Sequence, residues 1–343
     1  MESNKDKKQN ISRRKFLENC GTLIAGASIL GVTGVLVQKR FAPSKNNLTQ
    51  AEAASQVSEK NNSSPYKLVS SFSVPDKITG FELYNDELLV ATLNNIFIYD
   101  RQGALLDNFI VGSNLRDIAV EDNLIYLLFP TRIEVYNGRG KQVRNWEACS
   151  EQSDYCSFTI TSGAIFVTDA ANKNICKYTS DGNFVKFIQS PNRFIIPSYT
   201  FGITHIDGTI YCSNSGRHQI ESYTLDGDYI GSFGKAGGAT GMFCGCCNPV
   251  HITHTSTGEI ITSEKGNPRI SCYGTDGTFR SLLLDSKTLG GGNIAYEIKI
   301  HEDKLFVAGK NLISTYQYDK ILAAKTACSD CGVNCPLRKK ITV

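Results

Sequence analysis

Several things are scarce in this 343-residue chain, and each scarcity removes a class of protein. Net charge is low: 36 Lys+Arg oppose 33 Asp+Glu, a formal +3, which argues against a disordered polyelectrolyte. There is no Gly-x-y period and no sustained heptad, so neither a collagen helix nor a coiled coil is specified. A Gly-rich phosphate loop, a Gly-x-Ser-x-Gly elbow and a His-Glu-x-x-His pair are all missing, which removes the commonest motif-borne enzyme chemistries. Only one extended apolar run exists, 17 residues from Gly21 to Val37, at the short limit for a membrane span. The basic balance is itself local. Residues 1–40 carry a net +5 and residues 41–343 a net −2, so the body has no electrostatic footprint for nucleic acid.

Residues 12–17 read Ser-Arg-Arg-Lys-Phe-Leu and precede that apolar run. The segment resembles a twin-arginine export signal, with Arg13 and Arg14 as the paired arginines. The resemblance implies delivery as a folded protein to the periplasmic or extracytoplasmic face of a bacterial membrane. Residues 1–40 are then a signal or a membrane-anchoring helix. Ala51-Glu52-Ala53 has the form of a cleavage site but lies well past the apolar run, so cleavage and retention as an anchor both stay open. Residues 41–65, rich in Ser, Asn, Gln, Lys and Ala, read as a flexible linker.

The remainder is a repeat. Six segments share an apolar strand that ends in Tyr and runs into a turn, usually with Gly. They are Ile96–Gly103, Ile133–Gly140, Ile175–Gly182, Ile220–Gly227, Ile270–Gly277 and the weaker Ile313–Lys320, at spacings of 37, 42, 45, 50 and 43 residues. A period of this length with several short strands per unit specifies propeller blades. Three of the turns are Asp-Gly, suited to tight hairpins. In the third unit the strands are expected near 157–161, 164–168, 174–178 and 184–188. The segments Ala164–Gly182, Thr209–Gly234 and Gly258–Phe279 resemble NHL repeats. The fold expected is therefore all-β, a six-bladed NHL-like β-propeller over 66–327 followed by a Cys-rich tail, 328–343. Two segments compete to complete the sixth blade as its outer strand: Lys67–Phe72 and Ile321–Ala327.

Twelve cysteines carry the functional signal. Cys20 lies in the signal segment. Cys176, Cys212 and Cys272 fall inside expected strands and suit the core as small apolar residues. Cys149 and Cys156 flank a loop and, in an exported protein, are a candidate disulfide. Two clusters remain: Cys244, Cys246 and Cys247 in Phe-Cys-Gly-Cys-Cys-Asn-Pro, and Cys328, Cys331 and Cys335 in Cys-x2-Cys-x3-Cys-Pro. Adjacent cysteines on a strand face opposite ways, so the first cluster is not core packing. Thiolates in turns bent by Gly and Pro suit a soft or borderline metal. The second cluster resembles the last three cysteines of the bacterial ferredoxin run, with Lys325 where the first would stand. That resemblance implies an iron–sulfur cluster, its missing ligand drawn from Cys244, Cys246 or Cys247. Structural disulfides and reactive dithiols stay open as alternatives.

Blade connectors and the turns between second and third strands share one face of a propeller. That places Asp169, Arg217, His218, Glu264 and Arg269 at a rim around the channel, where they form a binding rim or serve turn chemistry. His251 and His254 lie three apart and face opposite sides of a strand, so His251 is at most a single assisting ligand. The leading expectation is an exported, membrane-associated propeller with a thiolate-bound metal centre for electron transfer or a redox partner protein. The alternatives are a non-catalytic propeller that binds a small molecule or protein and holds its cysteines as disulfides, and a channel-site hydrolase or lyase.

Overall fold

The computed structural model describes residues 64–320 apart from Arg139. The signal with Arg13, Arg14 and Cys20, most of the linker, the segment Ile321–Ala327 and the tail cysteines Cys328, Cys331 and Cys335 lie outside the described residues.

The described chain is twenty-four strands in six four-stranded antiparallel sheets. Strand β1 (Tyr66–Ser73) stands apart in sequence from its sheet. Blade one is β2 (Ile78–Tyr84), β3 (Glu87–Thr92), β4 (Asn95–Asp100) and β5 (Leu105–Ile110). Blade two is β6 (Asp117–Glu121), β7 (Leu124–Phe129), β8 (Arg132–Asn137) and β9 (Lys141–Glu147). Blade three is β10 (Tyr155–Ile160), β11 (Ala164–Asp169), β12 (Asn174–Thr179) and β13 (Phe184–Ile188), within two residues of the expected bounds. Blade four is β14 (Ile203–Ile206), β15 (Thr209–Asn214), β16 (Gln219–Thr224) and β17 (Tyr229–Phe233). Blade five is β18 (His251–His254), β19 (Ile260–Ser263), β20 (Ile270–Tyr273) and β21 (Phe279–Leu284). Blade six is β22 (Glu297–His301), β23 (Lys304–Gly309) and β24 (Leu312–Tyr318), and β1 is its outer strand, with Phe72 opposite Ile313 and Lys67 opposite Gln317. The Lys67–Phe72 segment thus takes the closing slot. Ring closure joins the first described strand to the last, so that each sheet keeps only short edges.

Each blade is too thin to bury both faces alone, and the core is accordingly divided among the blade interfaces. Leu89 and Ile98 of blade one meet Ile118, Leu127 and Tyr136 of blade two. The same arrangement recurs around the ring to the closing interface, where Phe81 and Phe97 meet Phe306 and Ile313. Burying one such phenylalanine contributes about 1.5–3 kcal/mol.

The Tyr and Gly of the repeat have a common cause at these interfaces. Gly182 follows β12 at φ +88°, a region open to glycine, and a methyl added there would sit 2.6 Å from the Trp146 ring of the preceding blade. Gly277 at φ +79° receives Phe233 in the same way. The repeat tyrosine lies beside the same ring: Trp146 is 6.4 Å from Tyr178, Phe233 is 5.7 Å from Tyr273, and Phe72 of the closing strand is 4.7 Å from Tyr99. The hairpin glycine is therefore both a turn residue and a seat for the neighbouring blade's outer strand.

Candidate functional site

The connector between β17 and β18 carries Cys244, Cys246 and Cys247 on the face that also carries the β19–β20 turn. Buried polar side chains hold it down. Glu264 and Arg269, at the two ends of that turn, are 1% and 6% exposed and form a two-pronged ion pair, Arg269 Nε to Oε1 at 3.0 Å and Nη2 to Oε2 at 2.8 Å. Arg269 also donates to the carbonyls of Gly238, Ala239 and Met242 at 2.7–3.3 Å, and Glu264 Oε2 accepts the Cys244 backbone N–H at 3.0 Å. Buried Asn248 donates to the carbonyls of Cys244 and Lys265 and accepts the Lys265 N–H. His218 Nε2 lies 2.6 Å from the Gly245 carbonyl oxygen. Arg269 satisfies carbonyls that have no strand partner, which is why a buried guanidinium is tolerated here.

The loop so held presents its thiols unequally. Cys246 is exposed, Cys247 is buried beneath it, and their sulfurs are 3.3 Å apart. Burial works to raise the Cys247 pKa, but the Cys246 thiol and the neighbouring Lys265 and Ser198 outweigh it and leave it below the ordinary thiol value. Cys244 is half-buried, and burial together with the Glu264 carboxylate pushes its thiol up. Among the described residues no three His, Cys, Asp or Glu side chains gather as a metal site. The loop by itself therefore offers two adjoining sulfurs, with Cys244 in the same connector.

The remaining rim candidates have separate places. Asp169 is buried, and its Oδ1 accepts the N–H groups of Asp154, Ala171 and Asn172 at 3.1 Å. Arg217 is exposed and donates to the Arg193 carbonyl. His251 lines the central channel and the vestibule outside it. Cys212 and Cys272 are buried in their strands as expected. The loop pair differs from expectation: Cys149 lies with its sulfur 3.0 Å from that of Cys176, while the Cys156 sulfur faces the Asp154 carbonyl at 3.5 Å. The cause is that β10 begins at Tyr155, and the strand turns Cys156 toward blade four and the vestibule.

A second constellation fills the channel, a cavity of about 300 Å³ bounded by the six inner strands. Lys299 Nζ is 2.8 Å from Glu82 Oε2, and Asp117 Oδ2 accepts the Ser157 hydroxyl at 2.9 Å. Enclosure away from bulk water raises the Asp117 pKa to about 6, against the pull of Lys299, and holds Glu297 well above the usual carboxylate range with help from the Asp117 charge. Lys299 loses hydration too, but Glu82, Asp117 and Glu297 overcome that and raise it. Enclosure, with Lys299 and Lys265 nearby, lowers His251 to about 4. Further along, His205 Nδ1 is 3.0 Å from the Thr159 hydroxyl and His254 Nδ1 is 2.8 Å from that of Thr204. The sequence singled out His251 and set His254 on the opposite side of its strand, yet as part of an innermost strand both line the channel; Glu82, Asp117, His205, Glu297 and Lys299 were passed over. Their trace was present in the alternation Glu297, Lys299, His301 along an otherwise apolar strand.

No protein-family profile matches this chain. Among solved structures, it is similar to a virginiamycin B lyase from Staphylococcus aureus, at 13% identity and TM-score 0.52 over 74% of this chain and 99% of that one. A streptogramin B lyase is similar at 17% identity and TM-score 0.52, over 74% and 97%. A luciferin-regenerating enzyme is similar at 10% identity and TM-score 0.53, over 72% and 94%. At these identities the likeness is one of fold, the six-bladed propeller, and a fold of this kind hosts many functions.

Proposed function

We propose that this chain is an exported NHL-like propeller that carries a thiolate-bound metal centre at the rim of its connector face and serves electron transfer with a redox partner protein. Cys244, Cys246 and Cys247 provide one side of the site, and Cys328, Cys331 and Cys335 of the tail complete it. The observation that carries this reading is the anchoring of the cysteine connector. Besides the Phe243 ring that the loop sinks into the core, a buried ion pair, a buried asparagine and a histidine are all committed to it. Such fixing by second-layer hydrogen bonds is what a thiolate site needs if its sulfurs are to be held in place before the metal arrives. An iron–sulfur cluster, the occupant that the tail spacing suggests, supplies one-electron transfer when bound. The chain's own part is to hold Cys246 outward and Cys247 inward, with Lys265 beside them to offset thiolate charge.

Elemental analysis and visible spectroscopy of the full chain isolated without air test this reading. Iron and acid-labile sulfide, or another thiophilic metal at a fixed ratio to protein, are expected. Metal-free protein with every cysteine accounted for as thiol or disulfide contradicts it.

The channel favours a second reading, in which a small molecule binds, or is turned over by a hydrolase or lyase, among Asp117, Glu297, Lys299 and His251. Carboxylates with raised pKa values in an enclosed cleft are common at ligand and catalytic sites. The two readings separate cleanly. Ligand binding in the channel is lost in Asp117→Asn and kept in Cys246→Ser, and metal content follows the reverse pattern.

A further inference from the structure

Cys149 and Cys176 belong to neither cysteine cluster and are 27 residues apart in sequence. Cys149 sits in the connector that leaves β9, and Cys176 lies in the middle of β12 with no exposed surface. Their sulfurs are 3.0 Å apart, closer than unbonded sulfur atoms rest, and a bond of about 2.05 Å requires each to move by only about half an ångström. The backbone around Cys149 is already fixed. The Ala148 N–H donates to the Thr131 carbonyl at 2.8 Å, and the Cys149 N–H donates to the Tyr155 hydroxyl at 3.2 Å. That hydroxyl is in turn bonded to Tyr178 at 2.5 Å. The two sulfurs are therefore set within a short approach of bonding distance on a fixed connector, unlike the adjacent residues Cys246 and Cys247, whose bridge would close a very small ring.

We propose that Cys149 and Cys176 form a disulfide in an oxidising environment, tying the blade two to blade three connector to the central strand of blade three. The oxidant is a disulfide, either a thiol–disulfide oxidoreductase or glutathione disulfide. Cys149, half-exposed, attacks one oxidant sulfur and expels the other as a thiol. Cys176 then attacks the Cys149 sulfur of the mixed disulfide and expels the second oxidant thiol. One protein S–S bond forms, one oxidant S–S bond is reduced, and the two cysteine protons pass to the two departing thiols. Burial pushes the Cys176 thiol up, which makes Cys149 the point of entry. The connector so tied carries Asp154, whose carboxylate holds Arg116 at 3.1 Å on the vestibule wall and whose N–H is held by Asp169. The bridge therefore fixes one side of the channel mouth. It uses no residue of the proposed metal centre and stands or falls without it.

Peptide mapping tests the bridge. The full chain is equilibrated with glutathione disulfide, quenched in acid, alkylated under denaturing conditions and digested without reductant. The expected result is the Cys149 peptide joined to the Cys176 peptide, two hydrogens lighter than the sum of the free peptides. Alkylation of both residues as thiols, or a Cys149–Cys156 link, overturns the proposal. In denaturant titrations, a reductant is expected to lower the folding equilibrium constant of the wild type by roughly 400-fold, the chain-entropy value for a loop of this size. Most of that sensitivity disappears in Cys149→Ser. Equal reductant sensitivity in the two proteins also overturns it.

Discussion

Glu264→Gln is the perturbation that bears most directly on how the cysteine connector is built. The side chains differ by one atom in shape but by a full charge, and the site is nearly dry: Glu264 and Arg269 are 1% and 6% exposed. Removing one member of a buried ion pair leaves the other charge uncompensated, at a cost of about 3–5 kcal/mol. The amide also presents one acceptor oxygen where the carboxylate presents two, and the Cys244 N–H and both guanidinium contacts compete for it. A double change, Glu264→Gln with Arg269→Met, removes the stranded charge but takes the guanidinium donor from the half-buried Met242 carbonyl, worth about 1–3 kcal/mol when a buried acceptor is left without a donor, while the exposed Gly238 and Ala239 carbonyls stay open to water and Ala239 keeps the Met242 N–H. The double variant should therefore recover only part of the stability lost in Glu264→Gln. Urea denaturation gives the energies, and the rate of thiol alkylation reports on the loop. Cys244 and Cys247 should become at least tenfold more reactive in Glu264→Gln, whereas exposed Cys246 should change little. A loss below about 1 kcal/mol, with Cys244 and Cys247 as slow to react as before, would refute the anchoring argument.

Asp117 and His251 should show opposite pH dependence. Asp117 has a folded pKa of about 6 against 3.8 unfolded, so its contribution is complete below pH 3.8 and is lost as pH rises through 6; His251 has about 4 against 6.5, so its contribution is complete above pH 6.5 and is lost as pH falls through 4. Relative to wild type, Asp117→Asn should gain stability as pH rises from 4 to 6 and His251→Gln should lose it, each by at most about 3 kcal/mol because channel water screens the charges; parallel curves would contradict the channel electrostatics. Phe72→Ala tests ring closure, since this partly buried ring lies 4.7 Å from Tyr99 and over Gly103 of blade one. It should cost about 2–3 kcal/mol in denaturant titration, somewhat below the cost for a fully buried phenylalanine, and a cost under 0.5 kcal/mol would mean that β1 does not close the ring.

The blades were legible because their signal is local and repeated for a physical reason. Tyr178 with Gly182, and Tyr273 with Gly277, must accept an outer-strand ring from the blade before, so the same residues recur at the same offset. The closing strand was harder to read. Its burial alternates weakly, and only one of its faces meets another blade, so Lys67–Phe72 left little to set it apart from Ile321–Ala327. Residues paired across blades were illegible. Nothing in the sequence near Cys149 points to Cys176, because their meeting depends on how one connector crosses a neighbouring sheet. Glu264 and Arg269 were readable as a rim pair, but their commitment beneath the cysteine connector depends on carbonyls of residues 238–242 that only the folded loop brings within reach.

The claim at the centre of this account is that one site draws thiolates from both cysteine clusters. The direct measurement is metal content per chain for wild type, Cys246→Ser and Cys331→Ser, isolated side by side without air. Loss of metal from both variants, with the propeller still folded by circular dichroism, is the result predicted. Full metal content in either variant contradicts it.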